Sequence, residues 1–218
     1  MAIIYSYPII DPTSVDYLLG VRFDDDGKPT KLFPLQGIVD IVKEQIPEGN
    51  YGLYAQTALG TLITNTTTET SLVSAGVGGL TVPANTFKVG DSFTARMCGT
   101  LSCANNETIH IRVKSNGVTI ADAGVFQMKI TTDKYFELVL DFTVTKIGVA
   151  GVAELFTNGQ YSYNHNAAGE IAGNNFALIS NTLFNTTITN VLSITAEWGT
   201  AKTANKIQSQ NFVLTKVY

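Results

Sequence analysis

Residues 136–145 form the stretch FELVLDFTVT, in which apolar side chains alternate with mostly polar ones. Successive side chains of a β-strand point to opposite faces, so this alternation places the even-numbered residues from Phe136 to Val144 on one face. A strand with one apolar face is typical of an antiparallel sheet that covers a core on one side and meets water on the other. The stretch therefore predicts a half-buried strand.

Other stretches repeat this pattern and together predict the fold class. The alternation recurs in residues 107–114, 191–198 and 211–218. Residues that favour turns separate such stretches, and we expect turns at 89–91, 105–106, 115–117, 132–133, 157–159, 172–175, Asn185 and Asn190. About eight to ten strands without intervening helices favour a mostly β fold, an antiparallel jelly-roll-type β-sandwich over residues 51–218. An immunoglobulin-like sandwich is disfavoured because no Cys…Trp…Cys spacing is present.

The first fifty residues differ in pattern and are predicted to form a separate N-terminal anchor. Residues 1–12 are apolar and aromatic with two prolines, which predicts an extended arm. Residues 16–23 and 30–33 flank the acidic turn DDDGKP and predict a hairpin. Pro34 suits the first position of a helix, and the apolar stripe that follows it predicts one short amphipathic helix. The predicted domains are therefore 1–50 and 51–218.

Charge is distributed unevenly between these two parts. Residues 1–50 carry eight acidic and four basic side chains, whereas the other 168 residues carry ten of each sign. A surface with few charges and no net charge gains little from self-repulsion, so we expect the body to associate with copies of itself. The sequence pI is about 5.1 and no basic patch is present, so nucleic acid is not an expected partner.

Nothing in the sequence predicts export or membrane insertion. The first residues lack the basic flank, apolar run and cleavage site of a secretory signal, and no run of eighteen apolar residues is present. We therefore expect synthesis in the cytosol without export. Cys98 and Cys103 make no disulfide framework, and the sequence allows these thiols either to pair across a hairpin or to stay free.

Few residues offer catalytic chemistry. His110 lies on the polar face of a predicted strand, and neither it nor His165 is accompanied by a serine or cysteine motif. Glu137 and Asp141 share one face of one strand but lie about 13 Å apart along it, beyond the separation that glycosidases use. A carboxylate pair formed across two strands remains an alternative. We therefore expect that the protein is not an enzyme.

No metal or cofactor site is expected either. The acidic run at 24–26 lacks the alternating acidic positions and the distal glutamate of a calcium loop. Cys98, Cys103 and His110 do not have the spacing of zinc ligands. The stretch 74–80 contains glycines but lacks the lysine of a phosphate-binding loop, and it predicts a turn or a bulged strand edge.

One segment has the composition of a contact loop. Residues 161–166, YSYNHN, predict a polar loop or the end of a strand. Tyr161, Tyr163 and His165, together with Phe184, would then offer a contact platform to a sugar. The alternative is that these aromatic side chains fill the interface between the sheets or a contact between subunits.

The layout of the chain resembles the virion appendage proteins of tailed bacteriophages, particularly phages of the crAss-like group. The resemblance covers the order of strand, acidic glycine turn, strand and short helix in the N-terminal part. In the body it covers the stretches LTVPANTFKVGD (80–91), NNETI (105–109), WG (198–199) and NFVLT (211–215). It implies a head fibre or capsid-attached spike, commonly a homotrimer, on the exterior of the virion. Attachment to the tail instead of the capsid remains open, because tail fibres have similar anchors.

The resemblance and the apolar arm together suggest residues that dock on a capsid protein or another virion protein. The predicted docking residues are Ile3, Ile4, Tyr5, Tyr7, Ile9, Tyr17, Leu18 and Leu19. Each large apolar side chain left in water forfeits about 1.5–3 kcal/mol, so the arm gains from burial against a neighbour. The alternatives are the receptor- or glycan-binding tip of a tail fibre, a polysaccharide-degrading enzyme and a bacterial surface adhesin. The missing export signal disfavours the adhesin.

Overall fold

The computed structural model describes residues 17–21, 30–38, 51–166, 169–180 and 182–218. The chain divides into two compact units, residues 1–49 and 50–218. This division falls one residue from the boundary expected from the sequence. The predicted arm at 1–12, the acidic turn and the helix beyond residue 38 lie outside the described residues.

The described part of the first unit is a hairpin followed by a helical turn. Strand β1 (Tyr17–Val21) pairs antiparallel with β2 (Thr30–Pro34), as the sequence predicted. Residues 35–38 are helical. Pro34 ends β2 instead of opening the helix, because a proline is tolerated at the end of a two-stranded ladder. Tyr17 is exposed, and the docking residues Ile3, Ile4, Tyr5, Tyr7 and Ile9 lie outside the described residues.

The second unit is built from strands. They are β3 (Tyr51–Gln56), β4 (Ile63–Thr64), β5 (Thr70–Ser71), β6 (Gly76–Gly78), β7 (Thr81–Val82), β8 (Ser92–Cys103), β9 (Thr108–Ser115), β10 (Val118–Gln127), β11 (Thr131–Lys146), β12 (Glu154–Asn164), β13 (Ile171–Ser180), β14 (Asn190–Trp198) and β15 (Lys206–Lys216). The large sheet has the order β13-β12-β11-β8-β15-β3-β6, with β4 also on β15. The small sheet has the order β10-β9-β14-β5, with β7 also on β14.

The two sheets are antiparallel and pack face to face, which confirms the predicted β-sandwich. The apolar face of β11 points into the core as expected, with Phe136, Leu138 and Leu140 fully buried. Trp198 and Val113 of the small sheet are also fully buried. At about 1.5–3 kcal/mol for each large side chain, this interface is the main source of the unit's stability.

Three predicted turns are wrong, because they lie inside strands: 132–133 in β11, 157–159 in β12 and 172–175 in β13. Asp133 has a positive φ of 48° and stands at a bulge in the pairing of β11 with β8. Gly159 lies opposite Phe176, and a Cβ on this glycine would be 2.1 Å from the phenyl ring. These turn-forming residues therefore lie at a bulge and at a close packing contact within the sheet. Asn190 is likewise the first residue of β14.

Candidate functional site

The predicted contact loop is part of the core. Tyr161 and Tyr163 belong to β12, and only 2% and 1% of their surfaces are exposed. Their rings lie 6.3 and 6.2 Å from that of Phe126 on β10. The expectation of an exposed platform is therefore wrong, and the alternative that these aromatics fill the interface between the sheets is correct. The reason is that β12 continues to Asn164, so its odd-numbered side chains point inward.

The two remaining members of the predicted platform are also buried. His165 follows β12, and its Nε2 lies 2.5 Å from Oε2 of Glu170. Phe184 packs against the ring of Phe87, with centroids 5.5 Å apart. None of the four side chains offers a free surface to a ligand.

The hydroxyl of Tyr161 provides a test of this placement. It is buried without a hydrogen-bond partner among the described residues, and burial raises the pKa of Tyr161 well above its ordinary value. We expect Tyr161→Phe to raise the free energy of unfolding by about 1 kcal/mol, because an unpaired buried hydroxyl is removed. The matched control is Tyr163→Phe, since the Tyr163 hydroxyl accepts a hydrogen bond from the Lys129 N–H at 2.8 Å. Urea unfolding should show this control destabilised; a loss of stability in Tyr161→Phe would contradict the placement.

The outward face of the large sheet presents a group of polar side chains, which we call the amide face. It is formed by Asp141 on β11, Asn158 and Gln160 on β12, and Asn175 on β13. Asp141 lies opposite Asn158, and Gln160 lies opposite Asn175. A groove of about 470 Å³ runs over these strands. The amide face therefore spans three adjacent strands of a rigid sheet.

Most of the hydrogen-bonding capacity of the amide face is unused by the protein. The Thr94 hydroxyl donates to Asp141 Oδ1 at 2.8 Å. The side-chain amides of Asn158, Gln160 and Asn175 make no hydrogen bond with any described residue. Each amide offers two donor hydrogens and an acceptor oxygen. The amide face thus presents free donors and acceptors with a single charged group.

An exposed aromatic ring lies beside the amide face. Phe156 is 41% exposed and stands two residues before Asn158, on the same side of β12. Its neighbours in register are Thr143 and Ile179. An apolar ring next to unpaired amides suits a neutral ligand that has both hydroxyl groups and C–H faces.

Sequence reasoning missed the amide face because it assigned Asn158 and Asn175 to turns. The signal that could have found it is the alternation in TNGQYSYN (157–164), where small or aromatic residues alternate with Asn158, Gln160, Ser162 and Asn164. The lateral alignment of Gln160 with Asn175 depends on the pairing of β12 with β13. That register is not readable from either segment alone.

The carboxylates considered for glycoside hydrolysis are each engaged by a neighbour. Glu137 accepts a hydrogen bond from Nε of Arg96 at 2.5 Å. Asp141 accepts a hydrogen bond from the Thr94 hydroxyl. Both partners lie on β8, and the two carboxylates remain on the same strand, four residues apart. The neighbouring side chains that could act as nucleophiles are the Thr94 hydroxyl, which is bonded to Asp141, and the Cys98 thiol, which lies opposite Glu137.

A second polar cluster covers the outward face of the small sheet. Arg112 donates to Glu197 at 2.6 Å and to Nδ1 of His110 at 2.6 Å. His110 Nε2 lies 2.5 Å from Asp122 Oδ1, so this nitrogen donates and the ring is oriented by both neighbours. Lys114 donates to Glu69 at 2.8 Å. These charges satisfy one another, which indicates a structural network.

The described residues also bear on metal binding, thiol chemistry and membrane insertion. Within the described ranges, no group of three or more His, Cys, Asp and Glu residues is placed to hold a metal ion. Cys98 and Cys103 are both free thiols, and burial raises the pKa of Cys103 to about 11. In the part of the chain that the structure describes, no helix has the length and apolar character needed to cross a membrane.

The chain matches no protein-family model, no curated protein and no solved structure.

Proposed function

We propose that this protein is a non-enzymatic structural appendage of a bacteriophage particle. Its N-terminal unit docks on a capsid protein or another virion protein, and its β-sandwich unit is displayed on the exterior. The observation that supports this most directly is the division into two compact units at residue 49. The acidic surplus and the apolar arm both belong to the first unit.

The second unit has a core of its own, which suits a displayed domain. Its buried cluster is made of residues between Tyr54 and Leu214. Residues 51–218 carry ten charges of each sign, so the displayed unit has no net charge. A self-sufficient neutral domain joined to an acidic anchor is a suitable design for an attached spike.

The contacts of the two histidines support a function without catalysis. His110 is held between Arg112 and Asp122, and His165 contacts Glu170. General-base catalysis needs an imidazole within reach of a nucleophile or a substrate proton. Both imidazoles have structural partners instead.

Co-sedimentation tests the proposed function. Particles of the phage that carries this sequence would be purified on a density gradient and probed for the chain with an antibody. We expect the chain to migrate with the particles at a constant ratio to the major capsid protein. A chain found only among the unassembled proteins would refute the proposal.

The amide face favours a second function, recognition of a neutral glycan on the host surface. Its free amides and the ring of Phe156 match the hydroxyl groups and C–H faces of a sugar. In this function the β-sandwich would be a receptor-binding tip, with the site on β11–β13 instead of the predicted loop.

We expect the double variant Asn158→Ala and Gln160→Ala to weaken glycan binding at least about tenfold, because several ligand hydrogen bonds are lost. The probe is an array of immobilised neutral and acidic glycans, on which neutral ones should be bound. Gln127→Ala, an exposed amide on the small sheet, is the matched control and should bind as the unsubstituted protein does. Absence of binding to the array, or equal binding by the double variant, would exclude this site.

A further inference from the structure

Strand β13 forms one edge of the large sheet, and this edge has unusual composition. Its ten residues, IAGNNFALIS, pair with β12 on one side without a break in register. Among the described strands, none forms a ladder with its other side. Charged residues and prolines commonly prevent edge strands from pairing with another chain. β13 contains neither.

The free side of β13 can be assigned from the hydrogen-bond alternation. The His165 N–H donates to the Glu170 carbonyl at 3.2 Å, just before the first residue of β13. In an antiparallel ladder, opposed residues alternate between bonded and non-bonded pairs. The odd-numbered residues from Ile171 to Ile179 therefore direct their N–H and C=O groups away from β12. Ile171 is 70% exposed and Ile179 is 58% exposed.

These odd-numbered residues are arranged symmetrically about Asn175. Ile171 and Ile179 are each four residues from this centre, and the small residues Gly173 and Ala177 are each two residues from it. If two copies pair antiparallel about a twofold axis at Asn175, each isoleucine faces an isoleucine and each small residue faces a small residue. The same pairing brings Asn175 opposite its own counterpart. All of these pairs fall on one face, as the period of a strand requires.

We propose that the β13 edge binds a second copy of this chain through this antiparallel register. The residue pairs 171–179, 173–177, 175–175, 177–173 and 179–171 exchange two backbone hydrogen bonds each. The large sheet becomes continuous across both copies. On the inner face, the partly exposed Leu178 comes opposite Ala172, so a large side chain meets a small one.

The charge distribution favours a second copy over a charged partner. β13 is uncharged, and the unit that contains it has no net charge, so two copies approach each other without repulsion. The strand is also held in place from within the sandwich, because Asn174 Nδ2 donates to the Ala123 carbonyl of β10 at 3.0 Å. A fixed strand loses little conformational freedom when it pairs.

This inference is independent of the proposed virion function. It also differs from the trimer that the resemblance implies, because only a twofold axis can place a residue opposite itself. Binding between copies and attachment to a particle are measured separately, so the failure of one does not imply the failure of the other.

The mass of the full chain in solution tests the proposal. We expect light scattering to give the mass of two copies. Asn175→Lys and Asn175→Glu each place like charges opposite each other, so each variant should have the mass of one copy. An equimolar mixture of the two variants should recover a one-to-one complex, because the opposed charges are then complementary. Asn158→Lys, on the same face but one strand inward, is the control and should keep the mass of two copies.

Cross-linking reports the register directly and does not depend on a charged variant. Opposed Cα atoms of a bonded antiparallel pair are about 5.5 Å apart, a separation that a disulfide spans. Asn175→Cys should therefore form a disulfide between copies, while Asn158→Cys and the unsubstituted chain should not. The proposal is overturned by a mass of one or three copies, by a charge pair that fails to recombine, by an Asn175→Cys chain that stays reduced, or by a different protein bound at this edge.

Discussion

Replacement of Glu107 with alanine is expected to lower the free energy of unfolding by about 3 kcal/mol, because the buried Asn205 amide and two further donors lose their shared acceptor. Glu107 lies at the end of the turn between β8 and β9 and is only 5% exposed. Its carboxylate accepts hydrogen bonds from Lys202 at 2.5 Å, from Asn205 at 2.9 Å and from the Thr200 hydroxyl. Asn205 is fully buried, so its amide cannot replace the lost bond with water.

The same cluster makes stability sensitive to acid. Hydrogen bonds from Lys202, Thr200 and Asn205 lower the pKa of Glu107 from its ordinary 4.5 to about 2. The folded-state pKa is below the unfolded one, so the contribution is complete above pH 4.5 and is lost as the pH falls toward 2. Urea unfolding across this pH range should show that the free energy of unfolding of the unsubstituted protein decreases as the pH falls. Glu107→Gln should reduce this pH dependence.

The matched control for Glu107 is Glu154→Ala. Glu154 pairs with Lys146, whose side chain is largely exposed, and exposed ion pairs contribute little to stability. We expect Glu154→Ala to unfold at nearly the urea concentration of the unsubstituted protein. Equal losses of unfolding free energy in the two variants would show that the buried cluster around Glu107 contributes no more to stability than an exposed ion pair.

Deletion of residues 1–20 is expected to abolish incorporation into particles while the β-sandwich unit stays folded. The deleted residues include Ile3, Ile4, Tyr5 and Tyr7, whose burial against a virion protein would contribute about 1.5–3 kcal/mol each. The core of the second unit contains none of them. Circular dichroism would check the fold, and gradient-purified particles would check incorporation.

A finer variant separates the arm from the hairpin. Replacement of Ile3, Ile4, Tyr5 and Tyr7 with serine leaves the residues of β1 and β2 unchanged, and we expect the same loss of incorporation. Val125→Ser, at an exposed apolar position of the β-sandwich, is the control and should be incorporated normally. A truncated chain that still purifies stoichiometrically with particles would refute docking through this segment.

The fold class was predictable because period-two alternation is a local property of the sequence. Residues 136–145 lie in β11 and residues 108–114 lie in β9, and the expected faces of both strands are buried. The turns inside β12 and β13 were mispredicted because Gly159 and Gly173 have tertiary roles: one lies under Phe176 and the other against the Tyr161 carbonyl. A glycine required by close packing has the same local signature as a glycine required by a turn.

The candidate site was less predictable, because it depends on contacts between strands. The sequence predicted a ligand-contact loop at Tyr161, Tyr163 and His165, but these side chains are buried inside the sandwich. Asn158, Gln160 and Asn175 come together only through the register of β12 with β13. Cross-strand neighbours are set by long-range pairing, which a single sequence does not encode in a readable pattern.

The amide face and the β13 edge are adjacent, so glycan binding and pairing between copies would be coupled. Asn175 belongs to both, so the twofold pairing would bring two amide faces side by side on one continuous sheet. Two weak glycan sites on one rigid surface bind a polymeric ligand more tightly than either site alone. The Asn175→Lys chain should then lose avidity for polysaccharide beyond its loss of one amide.

Antibody labelling of intact particles tests the central claim most directly. An antibody raised against residues 51–218 would be applied to gradient-purified particles and observed by electron microscopy with gold detection. We expect gold on the outside of intact particles at regular positions, and no gold on particles made with the chain that lacks residues 1–20. Labelling that appears only after particles are disrupted, or not at all, would contradict an exterior appendage.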